Sequence, residues 1–217
     1  MPVAQIKLVI FDLDGTLVNA YAAVYRSLNY VMQKFKLPAV GHAVIKRSVG
    51  WGDRNLLGRF VGPQRLEQAL SLYRRHHNAT LGNGVHFLPG ARKVVRQLKQ
   101  QGYRLAVASN RTTSSSEVIL RHLKVRDCFD CVVCGDRLKN FKPHPEILKH
   151  ILQKLSLTSG QAVYVGDMAI DVETGRRARV KTIAVLTGSS PRAEIIKARP
   201  FKVIRDIRPV VSVIARL

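Results

Sequence analysis

Four of the chain's fourteen Asp and Glu residues fall into two tight groups, Asp12 with Asp14 and Asp167 with Asp171. Carboxylates are scarce here, against 36 lysines and arginines, so the clustering is informative. The i, i+2 spacing of Asp12 and Asp14 points both side chains the same way while the backbone stays extended. Two carboxylates so close repel each other and drive their pKa values apart. A hard, oxygen-liganded cation such as Mg2+ relieves that repulsion and suits a site without clustered His or Cys. One carboxylate can then serve as nucleophile and the other as acid/base, with environment setting the division. Gly15 lets the chain turn sharply and turns backbone N–H groups toward an anion. Ser109, the backbone N–H of Asn110 and Lys142 would add donors to phosphoryl oxygens.

Those residues need a scaffold that brings them together. Residues 6–11 (IKLVIF) read as a buried strand running into the turn at Gly15. Residues 18–37 read as a helix stopped by Pro38. Shorter helices follow to about residue 81, punctuated by Gly41, Gly50, Gly52 and Gly62-Pro63, and 81–90 reads as a hinge loop. Beyond it, helices at 90–101, 113–123, 144–155 and 170–178 alternate with strands at 103–108, 130–134, 162–166 and 181–186. A helix near 191–198, a strand near 202–204 and a helix near 207–215 end the chain. Such alternation predicts an α/β fold with a parallel sheet covered on both faces. The all-helical block then reads as an insertion after the first strand. Ligands of open α/β sheets sit at the carboxyl ends of strands. The spacing places Asp12–Thr16, Ser109-Asn110, Lys142 and Asp167 at those ends, one after another.

The four segments DLDGT (12–16), VASN (107–110), KPHPE (142–146) and GDMAID (166–171) resemble the motifs of the haloacid dehalogenase superfamily, in order and over nearly the whole chain. The helical block before LPGARKVVRQLKQQG resembles the cap of that superfamily's phosphoglycolate phosphatase-like branch. The resemblance implies a Rossmann-like core (1–17 and 85–217) and an inserted α-helical cap (18–84). It implies that Asp12 attacks phosphorus to form an aspartyl-phosphate and that Asp14 protonates the leaving oxygen, then activates water. Ser109, Asn110 and Lys142 would hold the phosphoryl group. Asp12, the carbonyl of Asp14, and Asp167 would ligate Mg2+, with Asp171 behind them orienting the metal site or Lys142. The dehalogenases lack an aspartate at the position of Asp14, so phosphoryl transfer is favoured. The expected activity is a Mg2+-dependent phosphatase of small phosphorylated metabolites, with 2-phosphoglycolate the named substrate. An inorganic pyrophosphatase or a β-phosphoglucomutase-like mutase are the alternatives within enzymes. The family often reads DGTLVDS where this chain has Asn19 and Ala20, which bears on the linker into the cap.

Composition bounds the rest. A chain of 217 residues that is 46% hydrophobic can bury a real core. No run of about 18 apolar residues occurs, which excludes a transmembrane helix. Three cysteines make no disulfide scaffold, so the cytoplasm is the expected compartment. The net charge of +22 attracts anions and raises nucleic-acid binding as a different functional class. An aromatic content of 6% and the lack of an RNA-binding motif argue against specific binding of that kind. The expected partner is a small anionic phosphorylated substrate, taken by a monomer or homodimer. Residues 18–84 carry a balance of +8. Arg54 there is a candidate for a second anionic group on the substrate. Cys128, Cys131 and Cys134 read as buried apolar residues, since a cluster would want a fourth ligand. His76 and His77 read as the solvated end of a helix, and His144 and His150 as structural.

Overall fold

The computed structural model describes residues 5–217. Six parallel strands form the sheet: β1 (Leu8–Phe11), β4 (Arg104–Ser109), β5 (Cys131–Cys134), β6 (Ala162–Gly166), β7 (Lys181–Val185) and β8 (Lys202–Ile204). Their order is β5-β4-β1-β6-β7-β8, so β1 sits between β4 and β6 near the centre. The central strands β1, β4 and β6 are buried on both faces, and the period of two sorts their side chains. Val9, Phe11, Leu105, Val107, Val163 and Val165 pack with α5 (Ala91–Gln100), α6 (Thr113–His122) and α10 (Val210–Ile214). Leu8, Ile10, Ala106, Ala108 and Tyr164 pack on the other face with α7 (Glu146–Lys154) and α8 (Ala169–Ala178). Helix α9 (Arg192–Lys197) contributes Ile195 to a small cluster with Val172 and Ala184.

The helical block comprises α1 (Tyr21–Lys34), α2 (His42–Ser48), α3 (Asp53–Gly58) and α4 (Leu66–Thr80). It has an apolar cluster of its own around Leu28, Val31, Met32, Leu57, Leu70 and Tyr73. The helix expected over 18–37 is shorter at both ends. Val18 and Asn19 instead form β2, paired antiparallel with β3 (His86–Phe87), so two short strands join the block to the sheet. Asn19 Oδ1 accepts the Tyr21 amide at 3.2 Å, which starts α1 beyond it. Asn19 thus supplies the oxygen an aspartate would, without the charge. At the other end Lys36 turns left-handed, at φ 55°, and the Leu37 amide bonds back to Met32 O. The loop expected over 81–90 holds a 3-10 turn, Leu81–Gly84, and β3. No helix among the described residues is long and apolar enough to cross a membrane.

Candidate active site

β1 ends in Asp12, whose amide extends the ladder by donating to Val165 O at 2.9 Å. The chain then closes a tight turn, with the Gly15 amide on Val18 O and Gly15 at φ 78°. A Cβ at Gly15 would lie 2.5 Å from Asp167 Oδ2, so both conformation and space require glycine there. Lys142 reaches in from the loop after β5. Its Nζ lies 2.7 Å from Asp12 Oδ1, 2.7 Å from Asp171 Oδ1, 3.0 Å from the Tyr164 hydroxyl and 3.2 Å from Ala108 O. Three N–H bonds therefore serve four acceptors. Asp171, in the first turn of α8, also takes the Tyr164 hydroxyl (2.7 Å) and the Met168 amide (2.9 Å). Both its oxygens are thus engaged by the chain. Asp12 differs: among the described residues only its Oδ1 accepts a hydrogen bond.

Asp12, Asp167 and Asp171 offer carboxylate oxygens all within 4.8 Å of one another, and all three residues are buried. Against them stands one ammonium, that of Lys142. Burial pushes Asp12 up to about 7, with Lys142 pulling it down and Asp171 adding to the rise. Asp14, whose repulsion the i, i+2 spacing predicts, also raises Asp12 and is the least of these influences. Burial, then Asp12, then Asp171 push Asp167 well above the carboxylate range. Thr16 Oγ1 donates to Asp167 Oδ1 at 3.2 Å, and the Ser189 amide donates to Oδ2 at 3.1 Å. Gly188 leaves room beside Asp167, where a Cβ would fall 1.5 Å from Oδ2. A buried, all-oxygen cluster short of positive charge is chemically matched to a hard divalent cation.

Asp14 turns away from that cluster. Arg111, two residues past the end of β4, grips both its oxygens, with Nη2 2.9 Å from Oδ1 and Nε on Oδ2. Arg111 Nη1 lies 2.9 Å from His77 Nε2 on α4, and His77 Nδ1 lies 3.0 Å from the Ser27 hydroxyl on α1. Arginine only donates, so His77 accepts at Nε2 and carries its proton on Nδ1. Ser109 and Asn110 also lie at the site. The Ser109 hydroxyl accepts the Arg111 amide, while Asn110 Nδ2 donates to Gly50 O at 3.0 Å, tying the helical block to the sheet.

Two expectations need correction. His77 is not solvated; it is buried against Tyr73 and Arg111. Its i, i+4 relation to Tyr73 puts both on the inward face of α4. Arg54 does not reach the site: its side chain is 59% exposed and pairs with Glu67 on the outer surface. The arginine in the site is Arg111, which directly follows the Ser109-Asn110 pair. Tyr164 was missed too, as its apolar neighbours in AVYVG read as core. Cys131 packs under α7 and Cys134 meets Ser116 of α6, on opposite faces of the sheet; both are buried as expected, Cys128 is only half-buried, and all three thiols are free.

Asp12, Asp14, Ser109, Asn110, Arg111 and Lys142 line a cavity of about 40 Å³. That is room for roughly three waters at ~10–15 Å³ each. The helical block roofs it with Val24, Val49, Leu56 and Tyr73, and with the carboxylate of Asp53.

The family described as "Haloacid dehalogenase-like hydrolase" matches residues 9–185. A phosphoglycolate phosphatase of Cupriavidus necator is 30% identical over 186 residues, spanning 83% of this chain and 80% of that protein. The pyrophosphatase PpaX of Halalkalibacterium halodurans is 29% identical over 98% of this chain and all of its own length. Among solved structures, a predicted phosphoglycolate phosphatase from Haemophilus somnus superposes with a TM-score of 0.90 at 24% identity. That match covers 97% of this chain and 98% of the other.

Proposed function

Because this chain belongs to the haloacid dehalogenase-like hydrolases, we propose that it is a Mg2+-dependent phosphatase of small phosphorylated metabolites, with 2-phosphoglycolate as the favoured substrate. Asp12 is the nucleophile. Lys142 occupies its Oδ1 and leaves Oδ2 to attack phosphorus. The new Asp12–phosphorus bond forms as the ester bond breaks, and Asp14, which takes up a proton as one of its two oxygens leaves Arg111, gives that proton to the leaving oxygen. Asp14 then takes a proton from water, whose oxygen attacks the aspartyl-phosphate and releases Asp12 and phosphate. Ser109 and the Asn110 amide hold phosphoryl oxygens together with Lys142. Asp12, the Asp14 carbonyl and Asp167 would hold the Mg2+ ion, and Asp171 keeps Lys142 in place. Bound there, the ion would supply the positive charge the cluster lacks and Lewis-acid stabilisation of phosphoryl charge. Residues 18–84 act as a cap that excludes bulk water over a core of 1–17 and 85–217. The enzyme works in the cytoplasm as a monomer or homodimer.

The observation that carries this reading is the pairing of Asp12 with Lys142 in the lining of a small cavity. The test is phosphate release from 2-phosphoglycolate, pyrophosphate, sugar phosphates and nucleoside monophosphates, with Mg2+ or EDTA. Turnover should need the ion and fall by at least about 1,000-fold in Asp12→Asn. No turnover of any substrate by folded protein with Mg2+ would sink the reading. The similarity to the pyrophosphatase PpaX makes pyrophosphate the second candidate. A higher kcat/KM for it than for 2-phosphoglycolate would reassign the substrate.

A further inference from the structure

Arg111 is a cation in the cavity that the chemistry at Asp12 does not use. It is 8% exposed, and a guanidinium has five N–H donors. Nε and one hydrogen of Nη2 go to Asp14, and one hydrogen of Nη1 goes to His77. Among the described residues, one N–H on each Nη is left without an acceptor, and the residue lines the cavity. Holding Asp14 alone would not need those two donors, and burying them unmet is costly.

The cavity walls limit what could meet them. Its free volume of about 40 Å³ is small, which favours a phosphomonoester with a short leaving group. The roof over that group is apolar at Val24, Val49 and Leu56 and polar at the Tyr73 phenol and the Asp53 carboxylate. Asp53 is already held by Arg74, whose Nε lies 3.2 Å from its Oδ2. A flat acceptor with two oxygens fits the remaining pair of guanidinium donors better than a hydroxyl does.

We propose that Arg111 is a specificity-determining residue, whose two unmet N–H groups bind a carboxylate on the leaving group of a short phosphomonoester while the same guanidinium keeps its hold on Asp14. The inference rests on the phosphatase reading and deepens it. In 2-phosphoglycolate the carboxyl carbon is two bonds from the ester oxygen. Anchoring that carboxylate on Arg111 therefore brings the ester oxygen beside Asp14, which must protonate it. An ester of the same length without the carboxylate has no such anchor and leaves both donors unmet. His77 holds Arg111 from behind, through an uncharged ring that offers only its Nε2 lone pair.

Binding separates this role from turnover. Asp12→Asn protein with Mg2+ would be titrated calorimetrically with 2-phosphoglycolate and with ethyl phosphate. The titrations would be repeated with Arg111→Gln and Arg111→Lys added, after circular dichroism has checked that each variant is folded. The expected preference for 2-phosphoglycolate is about 30-fold or more. It should fall below about 3-fold with Arg111→Gln and lie between the two with Arg111→Lys, which keeps the charge but not the fork. If Arg111→Gln does not fold, the partial loss in Arg111→Lys carries the test. Equal weakening of both ligands, or no preference before Arg111 is changed, would overturn the assignment. Phosphate release by the unmutated enzyme distinguishes the failures. Turnover of both esters at similar kcat/KM refutes the role of Arg111 alone, whereas no turnover of any ester removes the phosphatase reading and this inference with it.

Discussion

Lys142 is the most connected side chain of the site, and Tyr164 is what keeps its connections in order. The phenol accepts from Lys142 and donates to Asp171, so it joins a cation and an anion that both stand against Asp12. Burial, and then Asp171, push the Tyr164 hydroxyl well above its usual range, so it stays a neutral donor. Tyr164→Phe keeps the ring that fills the core and removes only the oxygen. Its loss leaves Asp171 one donor short in a dry site, which should cost about 1–3 kcal/mol in urea unfolding. We expect kcat to fall about 10-fold with little change in KM, because Lys142 and Asp171 lose a fixed orientation while the substrate keeps its contacts. Unchanged kcat would mean that Lys142 is held adequately by the carboxylates alone.

Helices α1 and α4 meet the sheet through a chain of polar contacts, Ser27 to His77 to Arg111 to Asp14. The chain works only with a neutral imidazole, since Arg111 must donate into it. Burial, and then Arg111, push His77 from its ordinary 6.5 down to about 3. The sign of the consequence follows. Between those values the unfolded chain binds a proton that the folded protein refuses, so stability falls as pH drops below about 6.5. From pH 6.5 to 4.5 the loss attributable to His77 is about 2–3 kcal/mol. His77→Gln keeps an acceptor for Arg111 but does not titrate in this range. Urea midpoints at pH 7, 5.5 and 4.5 should therefore fall less steeply in the variant. Parallel pH profiles would show that His77 is protonated in the fold. Asn110 makes a second tie by donating to Gly50 O.

The molecule carries +22 in net charge, spread along the chain, and the helical block shares it at +8. Such a field concentrates anions near the surface and is screened within about 8–10 Å at physiological salt. The buried pairs at Asp12 and Asp14 are shielded from that screening. We therefore expect kcat/KM for 2-phosphoglycolate to fall several-fold as ionic strength rises from about 50 to 300 mM, with kcat nearly constant. A kcat that falls in step with kcat/KM would mean that salt reaches the site itself.

The order of the six sheet strands and the helices between them was readable from periodicity, because buried strands appear as short apolar runs and their helices as amphipathic stretches, while the two-residue strands β2 and β3 were too short to show. Strands 162–166 and 202–204 lie where the pattern puts them. The residues at the carboxyl ends of β1, β4 and β6 were readable too, since the parallel topology delivers those ends to one rim. Pairings across long separations were not. Nothing local to position 111 says that its guanidinium meets Asp14, 97 residues earlier, or His77 from another helix. Nothing in AVYVG says that its tyrosine ends beneath Lys142 rather than in plain core. Arg54 and Arg111 look alike as letters in a basic chain. Folding leaves one in solvent beside Glu67 and buries the other in the cavity, because burial and partner choice depend on how the helical block closes over the sheet.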